Sequence, residues 1–68
     1  MLERELPDLV LRRGDLGTVV HVYQRGGLEV EFVTAAGVIA ALVTLDIGDV
    51  RRIADDDLVT VRPFRRNA

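Results

Sequence analysis

His21 is the only side chain in this sequence that ordinarily titrates near neutral pH. A histidine can act as a general base or a metal ligand, but both roles need further groups beside it. The chain has no cysteine, no serine and no second histidine, and carboxylates alone make a poor zinc site. We therefore expect a structural or surface role for His21, and we expect no catalytic residue, no cofactor and no metal.

Two groups of carboxylates are the next candidates for chemistry. Glu29 and Glu31 alternate with apolar residues, which places both on one strand face, where a glycosidase can also carry its carboxylate pair. Alternating glutamates are also what the solvated face of a strand looks like, and this interpretation is the stronger one. The run 55–57 has three aspartates but lacks the spacing and the following glutamate of a calcium loop. We interpret it as a solvated turn.

Glycines mark two turns. The stretch Gly14-Asp15-Leu16-Gly17 resembles the turn that opens the KOW motif of ribosomal and transcription-elongation barrels, where a basic loop meets RNA. Backbone geometry is the stronger interpretation: a positive φ in the turn and room for a crossing strand at Gly17. Gly26-Gly27 joins two strand patterns without a following helix, so it predicts a hairpin turn and not a phosphate loop.

The charge balance bears on the kind of partner. The net charge is −2, and the nine basic side chains are all arginine. Domains that bind phosphate backbones usually carry a basic excess, so the balance is mild evidence against nucleic acid. Arginine and tyrosine are enriched at the energetic centres of protein interfaces. We select four residues near the predicted loops as partner-binding candidates: Arg12, Arg13, Tyr23 and Arg25.

Apolar periodicity predicts the elements that position these residues. Residues 28–33 alternate apolar and acidic side chains, which is typical of a half-buried strand. Strands are also predicted at 18–23, 38–45, 50–53 and 58–61, the last ending before Pro63. Short turns separate the first three, which predicts an antiparallel meander, and residues 46–49 have the composition of a tight or 3₁₀ turn.

These elements predict one all-β domain over residues 1–68, a small SH3-like barrel of about five strands with a frayed tail at 65–68. A chain of 7.5 kDa has room for a single domain and only a marginal core. No apolar run is long enough to span a membrane, and the default location is the cytoplasm. The predicted core comprises Leu16, Val20, Val22, Leu28, Val30, Phe32, Ile39, Leu42, Val50 and Ile53.

The runs GDLGTVVHVY at 14–23 and LEVEFV at 28–33, with AALVTL at 40–45, resemble the bacterial family called domain of unknown function 4926. The resemblance covers roughly residues 2–62. It implies a small SH3-like barrel without enzymatic activity, in some members encoded beside a small partner protein, as in toxin–antitoxin pairs. It also implies an apolar strand before Leu2–Pro7 that is reduced here to Met1–Leu2. We expect residues 58–61, or the same strand of a second copy, to fill that gap.

Three functions remain open at this stage. The first is a non-enzymatic protein-binding module, for example the antitoxin-like half of a two-protein operon, with the partner encoded by an adjacent gene. The second is a nucleic-acid-binding barrel of the KOW type, in which Arg12, Arg13 and Arg25 contact phosphates. The third is a self-assembling subunit, a homo-oligomer joined through a strand edge.

Overall fold

The computed structural model describes residues 1–65, so all but the first residue of the tail predicted to fray, 65–68, lies outside the described residues. Three strands form one sheet: β1 (Thr18–Val22), β2 (Gly27–Val33) and β3 (Ile39–Asp46). They follow one another as an antiparallel meander in the order β1-β2-β3. Single 3₁₀ turns at Pro7–Leu9, Gln24–Gly26 and Ile47–Asp49 complete the elements, and residues 1–65 contain no α-helix. The all-β prediction is confirmed.

The alternating strand β2 determines which face of the sheet is inside. Leu28, Val30 and Phe32 are buried, while Glu29 and Glu31 point to the other face and are half-exposed. Directly paired residues share a face, so the inner face of β3 carries Leu45 opposite Leu28 and Val43 opposite Val30. The register therefore follows the hydrophobic pattern of the sequence, as expected for a sheet with one buried face.

Turn chemistry closes the two hairpins and ends β3. Arg25 and Gly26 both have positive φ (71° and 84°) between β1 and β2, and Gly37 (φ 84°) turns the chain between β2 and β3. After β3, Asp46 and Asp49 form a reciprocal capping box around the 3₁₀ turn Ile47–Asp49. This last turn lies where the sequence predicted one.

Two of the five predicted strands do not form in residues 1–65. At 50–53 only Val50 pairs, in a single antiparallel bridge with Leu2, and the following Arg52 and Ile53 are exposed. Residues 58–61 form no backbone hydrogen bond with any other part of residues 1–65. The prediction that they fill a gap in their own chain's barrel is therefore wrong. β-propensity identifies a segment that suits a ladder, but it does not supply the neighbouring strand.

The N-terminal segment, which has no clear periodicity, covers the sheet. Leu2 is completely buried, and its N–H donates to the Asp15 carbonyl (2.9 Å) while its own carbonyl accepts from Gly14 N–H (2.9 Å). On its other side, Glu3 N–H donates to the Asp49 carbonyl (2.8 Å), and Arg51 N–H donates to the Met1 carbonyl (3.0 Å). Residues 1–3 are thus held between two backbone segments.

The observed core is smaller than predicted and differently placed. It consists of Leu2, Leu11, Leu28, Val30, Phe32 and Leu45. Three of the ten predicted members are therefore confirmed, and Val50 is half-buried against the core. The other six are exposed and were wrongly predicted as core: Leu16, Val20, Val22, Ile39, Leu42 and Ile53.

The reason for the difference lies in which strands are covered. Leu42 pairs with Glu31 and so lies on the outer face of the sheet. Val20 and Val22 belong to β1, whose five residues are all exposed because the covering residues pack over β2 and β3. A bulge between Val19 and His21 further shifts the register of this strand. Periodicity indicates the inner face of a strand, but not whether another segment lies over it.

Gly17 lets the chain cross close to β2 just before β1 begins. A Cβ at this position would lie 2.6 Å from Cγ1 of Val30, 2.9 Å from Cε1 of Phe32 and 3.1 Å from the Glu31 carbonyl oxygen. Two of these contacts are with buried core side chains, which cannot move away freely. The absence of a side chain at Gly17 is therefore required by packing.

We predict that Gly17→Val abolishes folding and that Gly17→Ala costs about 1–3 kcal/mol, the usual range for overpacking a core. A domain of this size has only a few kcal/mol of stability in reserve. The control is Gly48→Ala, because a Cβ there meets nothing within 4 Å and the glycine has no positive φ. Circular dichroism and urea unfolding measure both; a Gly17→Val variant with native stability would contradict this packing.

Candidate functional site

A groove of about 390 Å³ opens at the end of the sheet where β2 leaves and β1 begins. One wall is the loop 11–16, the second is the end of β2 with residues 34–35, and the third is the C-terminal segment 60–64. The apolar part of its lining includes Leu11, Leu16, Phe32, Val61 and Phe64. It combines apolar side chains with a few charged groups, the usual character of a binding surface.

Asp15 and Arg62 join two walls of this groove. Arg62 donates from Nε to Oδ1 of Asp15 (2.9 Å) and from Nη2 to Oδ2, so the pair is bidentate. Nη2 of Arg62 also donates to the Val10 carbonyl (2.8 Å). The carboxylate of Asp15 additionally accepts the backbone N–H of Arg12 (2.8 Å). One aspartate therefore organises the 12–15 turn and holds the C-terminal segment against it.

The electrostatics of Asp15 follow from these contacts. Its partial burial acts to raise its pKa, but the hydrogen bonds from Arg62 and from the Arg12 backbone outweigh burial. Together with the positive charges of both arginines, they hold the pKa below its ordinary value of 3.8. The carboxylate pairing in turn raises the pKa of Arg62. Both groups are thus ionised at neutral pH and neutralise each other.

Arg12 and Arg13, two of the predicted partner-binding residues, lie on the rim of the groove and are exposed. Within residues 1–65, neither guanidinium forms an ion pair with a carboxylate. Their ordered polar contacts are made by the backbone: Arg12 N–H to Asp15 and Arg13 N–H to Glu5 (3.0 Å). The lining contains three arginines and one carboxylate, so the groove is locally positive although the chain carries −2.

Tyr23 and Arg25, the other two predicted partner-binding residues, lie beyond the opposite end of β1. The five residues of β1 separate the pairs, a length of roughly 17 Å at the usual rise of a strand. Tyr23 donates from its hydroxyl to Oε2 of Glu29 (3.1 Å). Its ring packs edge-on against the His21 ring, with the two ring centroids 4.4 Å apart. The hydrogen bond to Glu29 raises the pKa of Tyr23. The structure thus splits the four candidates into two pairs.

The predicted turn glycines serve different purposes. Gly14 has φ +96° and nothing within 4 Å of its missing side chain, so it serves the turn. Gly26 has a positive φ in the first hairpin, whereas Gly27 already belongs to β2.

A second ion-pair cluster holds the other end of the C-terminal segment. Arg51 binds Asp57 through Nη1 (2.8 Å) and Nη2 (3.0 Å), and its Nε lies 3.2 Å from Glu3. Asp57 also accepts the Ala54 N–H (2.7 Å). Hydrogen bonds from Arg51 and Ala54 lower the pKa of Asp57 to about 2. Asp57 therefore closes the 54–57 turn and ties it to the N-terminal segment, instead of being merely solvated.

Within residues 1–65, no three His, Asp or Glu side chains are grouped so that they could hold a metal ion. The same part of the chain has no helix with the length and hydropathy of a membrane span. The residue that sequence reasoning missed is Arg62, because the segment around it was interpreted as the end of a strand. Its arginine type is the only signal it gives; nothing in the sequence points to a partner 47 residues away.

The chain belongs to the family described as "Domain of unknown function (DUF4926)", whose pattern it matches over residues 1–52. The resemblance seen in the sequence is thereby confirmed at the level of the family. No curated protein and no solved structure matches the chain significantly. The matched range contains the whole sheet and the 12–15 turn, and it ends before Asp57 and Arg62.

We predict that Asp15→Asn destabilises the fold by about 1.5–3 kcal/mol, the usual range for a hydrogen bond to a charged group. The neutral amide keeps the shape but loses the charge that Arg62 binds. Asp56→Asn is the control, because Asp56 is exposed and makes no described contact. Thermal unfolding of the two variants at neutral pH measures the difference. Equal melting temperatures would show that the Asp15–Arg62 pair contributes nothing.

The lowered carboxylate pKa values also predict how stability depends on pH. Asp57 has a folded pKa of about 2 against an ordinary 3.8, and Asp15 is lowered as well. A carboxylate whose pKa is lower in the folded than in the unfolded state stabilises the fold at pH values above its unfolded-state pKa. This stabilisation is lost as the pH falls through its folded-state pKa. We expect melting temperature to fall between pH 4 and pH 2, and to fall less in Asp57→Asn. An identical decline in this variant would contradict the role of Asp57.

Proposed function

We propose that the protein is a non-enzymatic, cytoplasmic protein-binding module built on an incomplete SH3-like barrel. An irregular leading segment, a three-stranded meander and a 3₁₀ turn follow one another in the order expected for such a barrel. The observation that carries the proposed function is the groove between the loop 11–16 and the C-terminal segment 60–64. It combines apolar lining with two exposed arginines that have no ion-pair partner among residues 1–65.

The chemistry of the groove indicates the kind of protein that it fits. Asp15 and Arg62 neutralise each other, so the charges left on the rim are those of Arg12 and Arg13. A guanidinium presents a planar set of donors that matches a carboxylate. We therefore expect a partner segment with acidic residues beside an apolar side chain, the acidic groups facing the arginines and the apolar one entering near Leu16.

The antitoxin-like role belongs to the same proposal. The family resemblance implies that some members are encoded beside a small partner protein, and a groove of this size suits one segment of such a partner. The product of the neighbouring gene is therefore the first candidate. Tyr23 and Arg25 lie at the far end of β1 and are not needed for binding in this groove.

The test is binding between the purified protein and the product of the neighbouring gene, measured by calorimetry. We expect charge reversal in Arg12→Glu and Arg13→Glu to weaken binding at least about tenfold each, because an acidic partner is then repelled. Arg52→Glu is the matched control: Arg52 is exposed, has no described ion pair and lies outside the groove. Arg25→Glu is expected to behave like this control.

Two results would contradict the proposal. The first is the absence of binding, or binding that Arg12→Glu and Arg13→Glu leave unchanged. The second is retention of homopolymeric RNA at low salt that falls steeply as salt rises, which is the behaviour of a phosphate-binding surface. That second result, lost in the same two variants, would favour the nucleic-acid-binding alternative.

A further inference from the structure

The outer edge of β1 has no neighbour in the described chain. β1 is at one end of the strand order, and no backbone hydrogen bond among residues 1–65 joins it to any segment except β2. All five of its residues are exposed, with Val19, Val20 and Val22 at 48%, 50% and 66%. It contains no lysine, arginine, aspartate, glutamate or proline, the residues that usually keep a free edge from pairing; the bulge at Val19–His21 is the only such device in this strand.

The same chain carries a strand-like segment with no ladder of its own. Residues 58–61 read Leu-Val-Thr-Val, and they make no described hydrogen bond. Leu58 is 92% exposed and Val61 is 96% exposed, although leucine and valine are among the residues most often buried in folded proteins. Both ends of the segment are fixed by ion pairs, Asp57 to Arg51 and Arg62 to Asp15. The segment 58–61 therefore lies outside the sheet of its own chain.

We infer that two copies of this chain associate by exchange, the segment 58–61 of each copy pairing with the β1 edge of the other. The chain contains both strands that this ladder needs, β1 and residues 58–61, and neither contains a lysine, arginine, aspartate or glutamate that would oppose pairing. Such an exchange is reciprocal, so it gives a closed dimer with two-fold symmetry in which both 58–61 segments and both β1 edges are paired. Within one copy, the bidentate contact of Arg62 with Asp15 holds the end of the segment beside the 12–15 turn, and no hydrogen bond joins residues 58–61 to β1.

The available surface is that of a weak, concentration-dependent dimer. The exposed parts of Val19, Val20, Val22, Leu58, Val59 and Val61 amount to roughly 600 Å² per copy. Complete burial of this surface would give about 1,200 Å² for two copies, the lower limit of standard specific interfaces, so we expect a weak dimer that depends on protein concentration. The ladder hydrogen bonds add to this apolar contact. The groove lined by Arg12 and Arg13 shares Thr60 and Val61 with the exchanged segment, whereas its two arginines and the β1 edge are separate.

Light scattering after gel filtration, over a wide range of protein concentration, tests this inference. We expect the mass to rise from 7.5 kDa to twice that value as concentration increases. Thr60→Pro removes a ladder donor from the exchanged segment, and Val22→Lys places a charge on the receiving edge. Both variants are expected to stay monomeric at all these concentrations with native circular dichroism.

Each variant has a matched control that is expected to dimerise normally. Asp55→Pro introduces proline at the second position of the turn that Asp57 N–H closes on the Ala54 carbonyl (3.0 Å). Val38→Lys adds the same charge at an equally exposed valine (61%) in the turn between β2 and β3. These controls separate loss of the ladder from general effects of proline or lysine.

Mixing the two monomeric variants gives the sharpest result. Thr60→Pro keeps a normal β1 edge and Val22→Lys keeps a normal segment 58–61, so a mixture can form one ladder. We expect the mixture to associate where neither variant alone does. A wild-type protein that remains at 7.5 kDa throughout, or variants that dimerise like wild type, would overturn the inference. Neither result would affect binding in the arginine-lined groove, which Arg12→Glu and Arg13→Glu test separately.

Discussion

A three-stranded sheet needs a cover on one face, and in this protein the cover depends on the backbone clamp around Leu2. The residues 1–3 are hydrogen-bonded to 14–15 on one side and to 49–51 on the other. This arrangement places the Leu2 side chain, the most deeply buried among residues 1–65, against the inner face of the sheet. Its burial contributes roughly 1.5–3 kcal/mol, a large share of what so small a domain has in reserve.

The position of this clamp explains where the protein is left open. Leu2, Leu11 and Val50 lie over β2 and β3, so the core is complete there and ends before β1. Gly17 brings the chain close to Val30 and Phe32 at one point only, and the valines that follow it stay exposed. β1 is therefore uncovered because few residues are available to pack over the sheet.

The two ion-pair clusters position the C-terminal segment. Arg51 with Asp57, and Arg62 with Asp15, fix the two ends of the C-terminal segment to the body of the protein. Between them the segment 58–61 is left without a ladder, and its far end forms one wall of the arginine-lined groove. The two ion-pair clusters thus fix the position of the apolar residues that lie between them.

The fold was predictable from the sequence where the pattern was local. The alternation at Leu28, Val30 and Phe32 predicted β2 and its inner face, and the aspartates around Gly48 predicted the 3₁₀ turn. The burial of Leu2 and Leu11 was not predictable, because it depends on hydrogen bonds to distant segments and on no periodicity. For the same reason β1 appeared to be a core strand: its valines have the right spacing, but nothing packs over them.

Of the candidate site, the exposed arginines at 12 and 13 could be selected by residue type and by their place beside a turn. The partner of Asp15 could not, because Arg62 is 47 residues away and reaches it only after the C-terminal segment has folded back. Nor could the sequence show that Tyr23 and Arg25 lie at the other end of β1, since that separation follows from the direction of the strand.

Amide hydrogen exchange at low and at high protein concentration tests most directly whether the β1 edge is open in one chain and paired in the assembly. At low concentration, β2 and β3 should be protected while the outward-facing amides of β1 and those of residues 58–61 exchange quickly. At high concentration, both of these sets should become protected together. Protection of the two sets at every concentration would mean that the ladder forms within one chain, and rapid exchange at every concentration would mean that no second strand pairs there.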